Sequence, residues 1–290
     1  MAPPKKKFDL INRGEKAPTP WGTLTFIGLR VLDLPLQHAL LQPAGLGTSL
    51  LAKFGIASVL PASASLSLLH TGLPVIDRLG HPTSALLLLF AAGSTAKQIH
   101  WQAVTSQESF PVSAAAAVSA FNTVVNGANA LLFVALSTTS LRSWPLVSLR
   151  LPFAVPFLGS NGNSGTQALE LPLSTLVGAL MYVFGLGLET VAERRRKAFE
   201  ARPENAGKVC KEGVWRWARH VNYFGYSLWR GGYAMVASGW IGGAIMTVWQ
   251  LVDLGERAAG VLDEYCTNKY KEQWAQFKRE VPSKIVPGIY

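Results

Sequence analysis

RWARHVNYFGY, residues 216–226, leads almost directly into GGYAMVASGWIGGAIMTVWQLV, residues 231–252. The first stretch mixes arginine, histidine and asparagine with aromatic rings, and the second carries no charge. A run of about 20 apolar residues is enough to cross the hydrocarbon core of a bilayer. Basic segments flank this one, with 9 Lys and Arg in residues 192–220 and 6 in residues 253–290. Positive residues stay on the cytosolic side of a membrane, so the chain between the two segments must cross an even number of times. So short a stretch can do that only as a tight helical hairpin or a re-entrant dip. GWIGG, residues 239–243, supplies the bend. Broken helix inside a membrane needs protein or a water-filled cavity to cover its freed backbone. A polar cavity opening to the cytosol is therefore expected in the C-terminal half.

The rest of the chain agrees. Only 15% of its 290 residues are charged, against about 25% in an ordinary soluble domain. Apolar windows recur at 49–69, 83–104, 113–136 and 171–191. Residues 21–41, which hold Arg30 and Asp33 and suit an interfacial or a spanning helix, and the proline-rich residues 143–159, which suit a short or a re-entrant piece, are weaker windows. Small residues inside the stronger windows suit close helix contacts in lipid. The expected fold is an all-α, polytopic transmembrane bundle of about six to eight segments. It divides into a cytosolic tail (1–20), substrate-side helices (21–170) and a C-terminal membrane domain (171–290), with both termini cytosolic. The tail, MAPPKKK onward, has no apolar core behind its lysines and does not read as a signal peptide. GSNGNSGTQ, residues 159–167, reads as a loop. Cys210 and Cys266 form no disulfide framework or metal-ligand spacing. The net charge of +10 lies mostly in juxtamembrane segments, and no nucleic-acid motif accompanies it.

Three polar sets stand out. Arg219, His220, Asn222, Tyr223 and Tyr226 sit at a membrane boundary among Trp215, Trp217 and Trp229. Asp263, Glu264, Lys269, Tyr270, Trp274, Lys278 and Arg279 suit a helix lying on the membrane surface. Glu189 and Glu193 share a helix face, with Arg196 one turn beyond. An interfacial aromatic belt with snorkelling arginines accounts for the tryptophans, but less well for His220 and Asn222. Together the sets could hold an anionic, aromatic cofactor. Arginine and lysine would meet its phosphates, aromatic faces its rings, Asn222 an amide, and Asp263 or Glu264 a ribose hydroxyl.

GVWRWARHVNYFGY, residues 213–226, resembles the GLWRYSRHPNYFGE block of the steroid 5-alpha-reductase-like membrane proteins. CTNKYKEQW (266–274) and VPSKIVPGIY (281–290) resemble their CxxKYGxxW and VPxxIxPxIY tail. The resemblance covers residues 185–290. It implies a membrane-embedded reductase of carbon–carbon double bonds in lipid or sterol-like substrates, in the endoplasmic reticulum, with NADPH enclosed from the cytosolic side. On the matching positions Arg219, His220, Asn222 and Tyr223 would line the cofactor. Asp263, Lys269 and Tyr270 would close over it, with Glu189, Glu193 and Arg196 as further contacts. The chain departs from the pattern at Val221, where proline is usual, and at Tyr226, where an acid is common. Ala192 stands in a place often held by aspartate, and Lys271 in that of a glycine.

Two other readings stay open. Membrane methyltransferases using S-adenosylmethionine share a similar RHPxYxG block, and a non-catalytic scaffold of the same fold would tolerate the departures. The number of cations at the site discriminates between the cofactors, because NADPH carries three phosphates and S-adenosylmethionine none. In the first half the candidate proton donors are sparse, namely Asp33, His38, His70, Asp77, His81, His100 and Glu108, and none is singled out as catalytic.

Overall fold

The computed structural model describes residues 16–58, 69, 71–106, 108–138, 144–151 and 167–289. The lysine-rich start of the tail, His70 and most of the 159–167 loop lie outside these residues.

Proline takes the first helical position at Pro20, Pro74 and Pro82. It presets φ and lacks only an N–H that a first helical turn leaves unpaired anyway. Helix α1 runs from Pro20–Leu41 and is followed by the short α2, Leu46–Lys53, and by α3, Pro74–Asp77. Helix α4, Pro82–His100, is capped by His81, whose Nδ1 accepts from the Thr83 amide at 3.1 Å. It widens into a π-helical turn at Trp101–Thr105. Helix α5 spans Val112–Val134. Strands β1, Leu146–Leu151, and β2, Gln167–Pro172, pair antiparallel with Leu146 opposite Pro172. Helix α6, Leu173–Glu200, and helix α7, Val221–Asp253, form the largest contact in the molecule. A π-turn then leads to α8, Ala259–Tyr270, and α9, Glu272–Glu280.

The fold is a helical membrane bundle. Four helical runs among the described residues are long and apolar enough to cross a membrane by length and composition: α1, α5, α6 and the run that begins with α7, which is broken at Gly239. Arg30 and Asp33, the two charges in α1, bind each other at 3.0 Å in its buried face. Two expectations are corrected. The 49–69 window is not a continuous helix: α2 ends at Lys53, Gly55 takes a φ of 70°, and Ser58 bridges to Ala135. The 143–159 window does not enter as a re-entrant helix, because residues 146–151 pair as a strand. The window's remaining residues, apart from 144 and 145, lie outside the described set.

The hairpin expected between residues 221 and 252 is present. Gly239 has φ 78° and ψ −166° inside α7, a conformation that side-chain-bearing residues rarely adopt. The chain reverses there, and the two arms touch. A Cβ on Gly231 would lie 1.8 Å from Thr247 Oγ1, and one on Gly243 would lie 2.5 Å from Met235 Cβ. The first arm packs antiparallel on α6 through facing glycines. A Cβ on Gly185 would sit 2.5 Å from the Trp229 nitrogen, and one on Gly232 would sit 2.4 Å from the Gly178 oxygen. Backbones that close gain dispersion contacts that lipid cannot supply between bulkier side chains. Phe90 and Tyr182 stack at 3.8 Å in the adjoining core, and the Tyr182 hydroxyl donates to the Phe90 carbonyl at 2.6 Å.

Candidate functional site

The basic stretches of sequence converge at one end of the bundle around a cavity of about 430 Å³. Its walls come from the π-turn after α4, the end of α6, the 205–210 loop, the turn at Gly213–Arg216 and the helices α8 and α9. Lys16, Arg196, Lys197, Lys208, Arg219 and Lys269 face it, against the carboxylates Glu108 and Glu200. Aromatic rings alternate with these cations. The Arg196 guanidinium lies 5.5 Å from the Trp215 ring centre, and Trp215 is fixed by a 3.0 Å bond from Nε1 to the Ala192 carbonyl. Lys269 Nζ lies 5.0 Å from the ring centre of Tyr270 and 5.5 Å from that of Tyr265.

Of the ten residues that the resemblance implies as cofactor contacts, Arg196, Arg219, His220, Lys269 and Tyr270 reach this cavity. Arg219 also works as a clamp, since its Nη1 donates to the Val281 and Pro282 carbonyls at 2.7 and 2.8 Å. The amides of Arg219 and His220 donate to the carbonyls of Ser283 and Lys284 at 3.0 and 2.8 Å, so the signature block holds the chain's last turn in place. His220 is buried, stacked on Tyr223 with ring centres 5.4 Å apart. Burial, helped by the positive charges of Arg219 and Lys284, pushes its imidazolium down to about 3, so the ring is neutral at pH 7.

The other five do not line the cavity. Asn222 and Tyr223 are half-buried in the first turn of α7. Asp263 ties α8 to α9, accepting from Trp274 Nε1 at 2.8 Å and pairing with Lys278 Nζ at 3.3 Å. Glu189 and Glu193 both grip Lys97 of α4, and Glu189 accepts a further bond from Trp229 Nε1 at 2.7 Å. Residues not singled out complete the walls, including Thr105, Ser106, Leu262 and Tyr265. Leu262, Cys266 and Lys269 follow helical spacing along one face of α8, a signal that was available in the sequence.

A second polar assembly lies inside the bundle. Arg30 binds Asp33, Thr95 Oγ1 at 2.8 Å and Gln98 Oε1 at 3.0 Å. Asp33 also accepts from Gln37 at 2.8 Å and Asn126 at 2.9 Å. Arg230 binds Asn122 and, through Nε, the Tyr226 hydroxyl at 3.1 Å, and its guanidinium lies 4.4 Å from the Trp229 ring centre. Tyr226, which stands where the resembling proteins commonly have an acid, thus serves as a partner to an arginine.

Residues 146–281 match a family described as protein of unknown function (DUF1295). Over 266 residues, 91% of this chain and 84% of the relative, the sequence is 30% identical to a probable O-methyltransferase, ustE, of Ustilaginoidea virens. The chain belongs to the DUF1295 family, which is steroid 5-alpha-reductase-like. Other members are named for reduction. A Delta(14)-sterol reductase of Arabidopsis thaliana is 26% identical over 53% of the chain, and Delta(14)-sterol reductase erg24A of Aspergillus fumigatus is 32% identical over 30% of it. The chain spans 40% and 23% of the lengths of those two relatives. The family therefore contains proteins named for each of the two chemistries that the signature block left open.

Proposed function

We propose that the protein is an NADPH-dependent reductase of a carbon–carbon double bond in a lipid or sterol-like substrate, embedded in the endoplasmic reticulum membrane with the cavity facing the cytosol. The observation that carries this reading is the donor set of the cavity. Six cations face two carboxylates there, with aromatic rings between them. Such a wall suits a ligand with several phosphates and flat heteroaromatic rings. Arg196, Lys208 and Lys269 are the groups that would hold phosphates. When bound, NADPH supplies a hydride. The chain's own part is to orient and to exclude water. Trp215, Tyr265, Trp274 and Phe277 supply aromatic rings to the wall, and the neutral His220 with Arg219 keeps the C-terminal turn in place. The reductase names of two relatives support the same reading.

A second reading has a specific observation in its favour. The relative that matches over most of its length is named an O-methyltransferase, and S-adenosylmethionine would then be the cofactor. Against it stands the charge of the cavity, which is unfavourable for a sulfonium cation. The test is a titration of detergent-purified protein with each cofactor, followed by thermal unfolding. A ligand that binds only the folded state raises the melting temperature by mass action. A rise with NADPH that shrinks in Lys269→Gln supports the reductase. A rise with S-adenosylmethionine alone would falsify it.

A further inference from the structure

Arg230 is the second arginine of the inner assembly, and its bonding is less complete than that of Arg30. It lies nine residues into α7, about 14 Å along the helix axis from the end that meets the cavity. It is 1% exposed. Its Nε and Nη2 hold Tyr226 and Asn122 and so tie α7 to α5, but Nη1 has no hydrogen-bond partner. Among the described residues no carboxylate pairs with it. Asp33 is bound to Arg30, and Glu189, at the indole nitrogen of Trp229, accepts from that nitrogen and from Lys97.

A buried guanidinium calls for acceptors on all its nitrogens and for a counter-charge. Inside a membrane-crossing segment such a group marks a functional site by default. A second open group shares the region. Ser119 is 2% exposed, and its Oγ has no partner either. It precedes Asn122 by three residues and lies on the same face of α5. The other open atoms of the assembly, Gln37 Oε1 and Asn126 Oδ1, are acceptors next to Asp33, a turn or more further along α1 and α5. On the bilayer side Arg230 is covered by a ring. Its guanidinium carbon lies 5.4 Å from the ring centre of Phe121, which lies 6.1 Å from that of Trp249 in the second arm of α7. Phe121 is 37% and Trp249 48% exposed, with exposed Val124 and Ile245 one turn away.

We propose that Arg230 Nη1 and Ser119 Oγ form an intramembrane site for the carboxylate of a fatty-acid-like amphiphile, which enters from the bilayer past Phe121 and Trp249. The carboxylate brings an oxygen for each open group and the negative charge that Arg230 lacks. An uncharged oxygen would fill the hydrogen bond and leave the buried charge uncompensated. A phosphate, with more charge, is better met by the six cations of the cavity. The aliphatic tail lies in lipid against the exposed faces of α5 and the second arm of α7. As a binding site the proposal stands on the inner assembly alone. As a statement that the substrate is a lipid acid, it rests on the reductase reading.

Radiolabelled palmitate tests it, bound to detergent-purified protein at matched detergent in mildly alkaline buffer, so that the acid is ionised. Hexadecanol and hexadecyl phosphate serve as competitors. Wild type should bind palmitate, and hexadecanol should compete about tenfold less well than the unlabelled acid. R230Q should lose about tenfold in palmitate affinity, and S119A about threefold. If R230Q is not recovered folded, S119A and the preference for acid over alcohol carry the test. Palmitate bound equally by wild type and the variants overturns the proposal. So does hexadecanol competing as well as the acid, and so does palmitate binding that R196Q weakens and R230Q does not, which would put the anion in the cavity. NADPH titrated into R230Q should bind as in wild type. NADPH binding without palmitate binding that depends on Arg230 would remove the site and leave the cofactor reading. The reverse pattern would remove the cofactor reading and leave the site.

Discussion

Arg30 and Arg196 both lie on long apolar helices, and their surroundings differ in kind. Arg30 is fully buried, and its three guanidinium nitrogens go to Asp33, Thr95 and Gln98, side chains of its own helix and of α4. Arg196 rests one face on Trp215 and leaves the rest toward a cavity already rich in cations. In the first setting the protein itself completes the polar set. In the second, six cations gather around two carboxylates, which leaves the wall with a net positive charge that an anion from outside would relieve. A cation inside apolar surroundings is tolerated when paired. A cluster of cations at a rim is a binding surface.

Removing a charge from each region is the sharpest way to break the comparison. Asp33→Ala strands Arg30 and takes an acceptor from Gln37 and Asn126. Leaving a buried charge unpaired costs about 3–5 kcal/mol, so this variant should unfold far below wild type or fail to be recovered folded. The double change Arg30→Met with Asp33→Leu removes both charges and should recover much of the loss. If Asp33→Ala melts like wild type in detergent, the inner network is not the structural unit described.

The helix contact that carries the signature block comes next in size. Gly185→Val would force side-chain atoms into the Trp229 backbone, for a cost of about 1–3 kcal/mol. Gly187→Ala, two residues along the same helix, meets nothing within 4 Å. It should be neutral or gain about 0.5–1 kcal/mol from the better helix former. Equal melting temperatures for these two variants would contradict the close approach of α6 and α7.

How legible each region was follows from how local its causes are. The hairpin at Gly239 could be read because charge on both flanks and glycine at the middle lie within one stretch of chain. The resemblance blocks could be read because RH at 219–220 and the VPSKIVPGIY tail are contiguous motifs, although what they do to each other could not. Only the fold shows Arg219 spending its Nη1 on the tail's carbonyls. The inner network was not read: Arg30 and Asp33 counted only as charges that weaken the 21–41 window, and Thr95, Gln98 and Asn126 come from distant helices. Glu189 and Glu193 were correctly placed on one face, but the face turns to Lys97 rather than to the cavity. The 49–69 window misled because composition counts apolar residues and does not see a turn that starts at Lys53.

His220 provides a graded effect that appears only as pH falls. Its folded-state value of about 3 lies below the ordinary histidine value of 6.5, with burial the main cause. The unfolded chain therefore binds more protons than the folded one between these limits. The stability that His220 contributes is complete above pH 6.5 and is lost as pH falls toward 3, by up to about 1.4 kcal/mol per pH unit. His220→Gln should flatten the fall in melting temperature between pH 6.5 and 4.5. An unchanged slope would mean that the ring is not buried against Tyr223 and Trp274 in the folded protein.

The smallest effect on stability should accompany the clearest effect on binding. Arg196→Gln removes a cation from the cavity but leaves Trp215 held by Ala192. The guanidinium lies over a ring and is partly solvated, so unfolding should shift by no more than about 0.5 kcal/mol. The ligands should respond in opposite senses. NADPH loses one of the groups its phosphates would meet, for a weakening of about five- to tenfold that fades as salt is raised. S-adenosylmethionine loses a repelling neighbour and should bind as well or slightly better. Measured side by side with Asp33→Ala, the pair separates an arginine network whose purpose is to hold helices together from one whose purpose is to meet a ligand. If Arg196→Gln instead destabilised the fold as much as Asp33→Ala and left both cofactors unaffected, the cations of the cavity would be structural like those of the inner network, and the distinction between the two regions would fail.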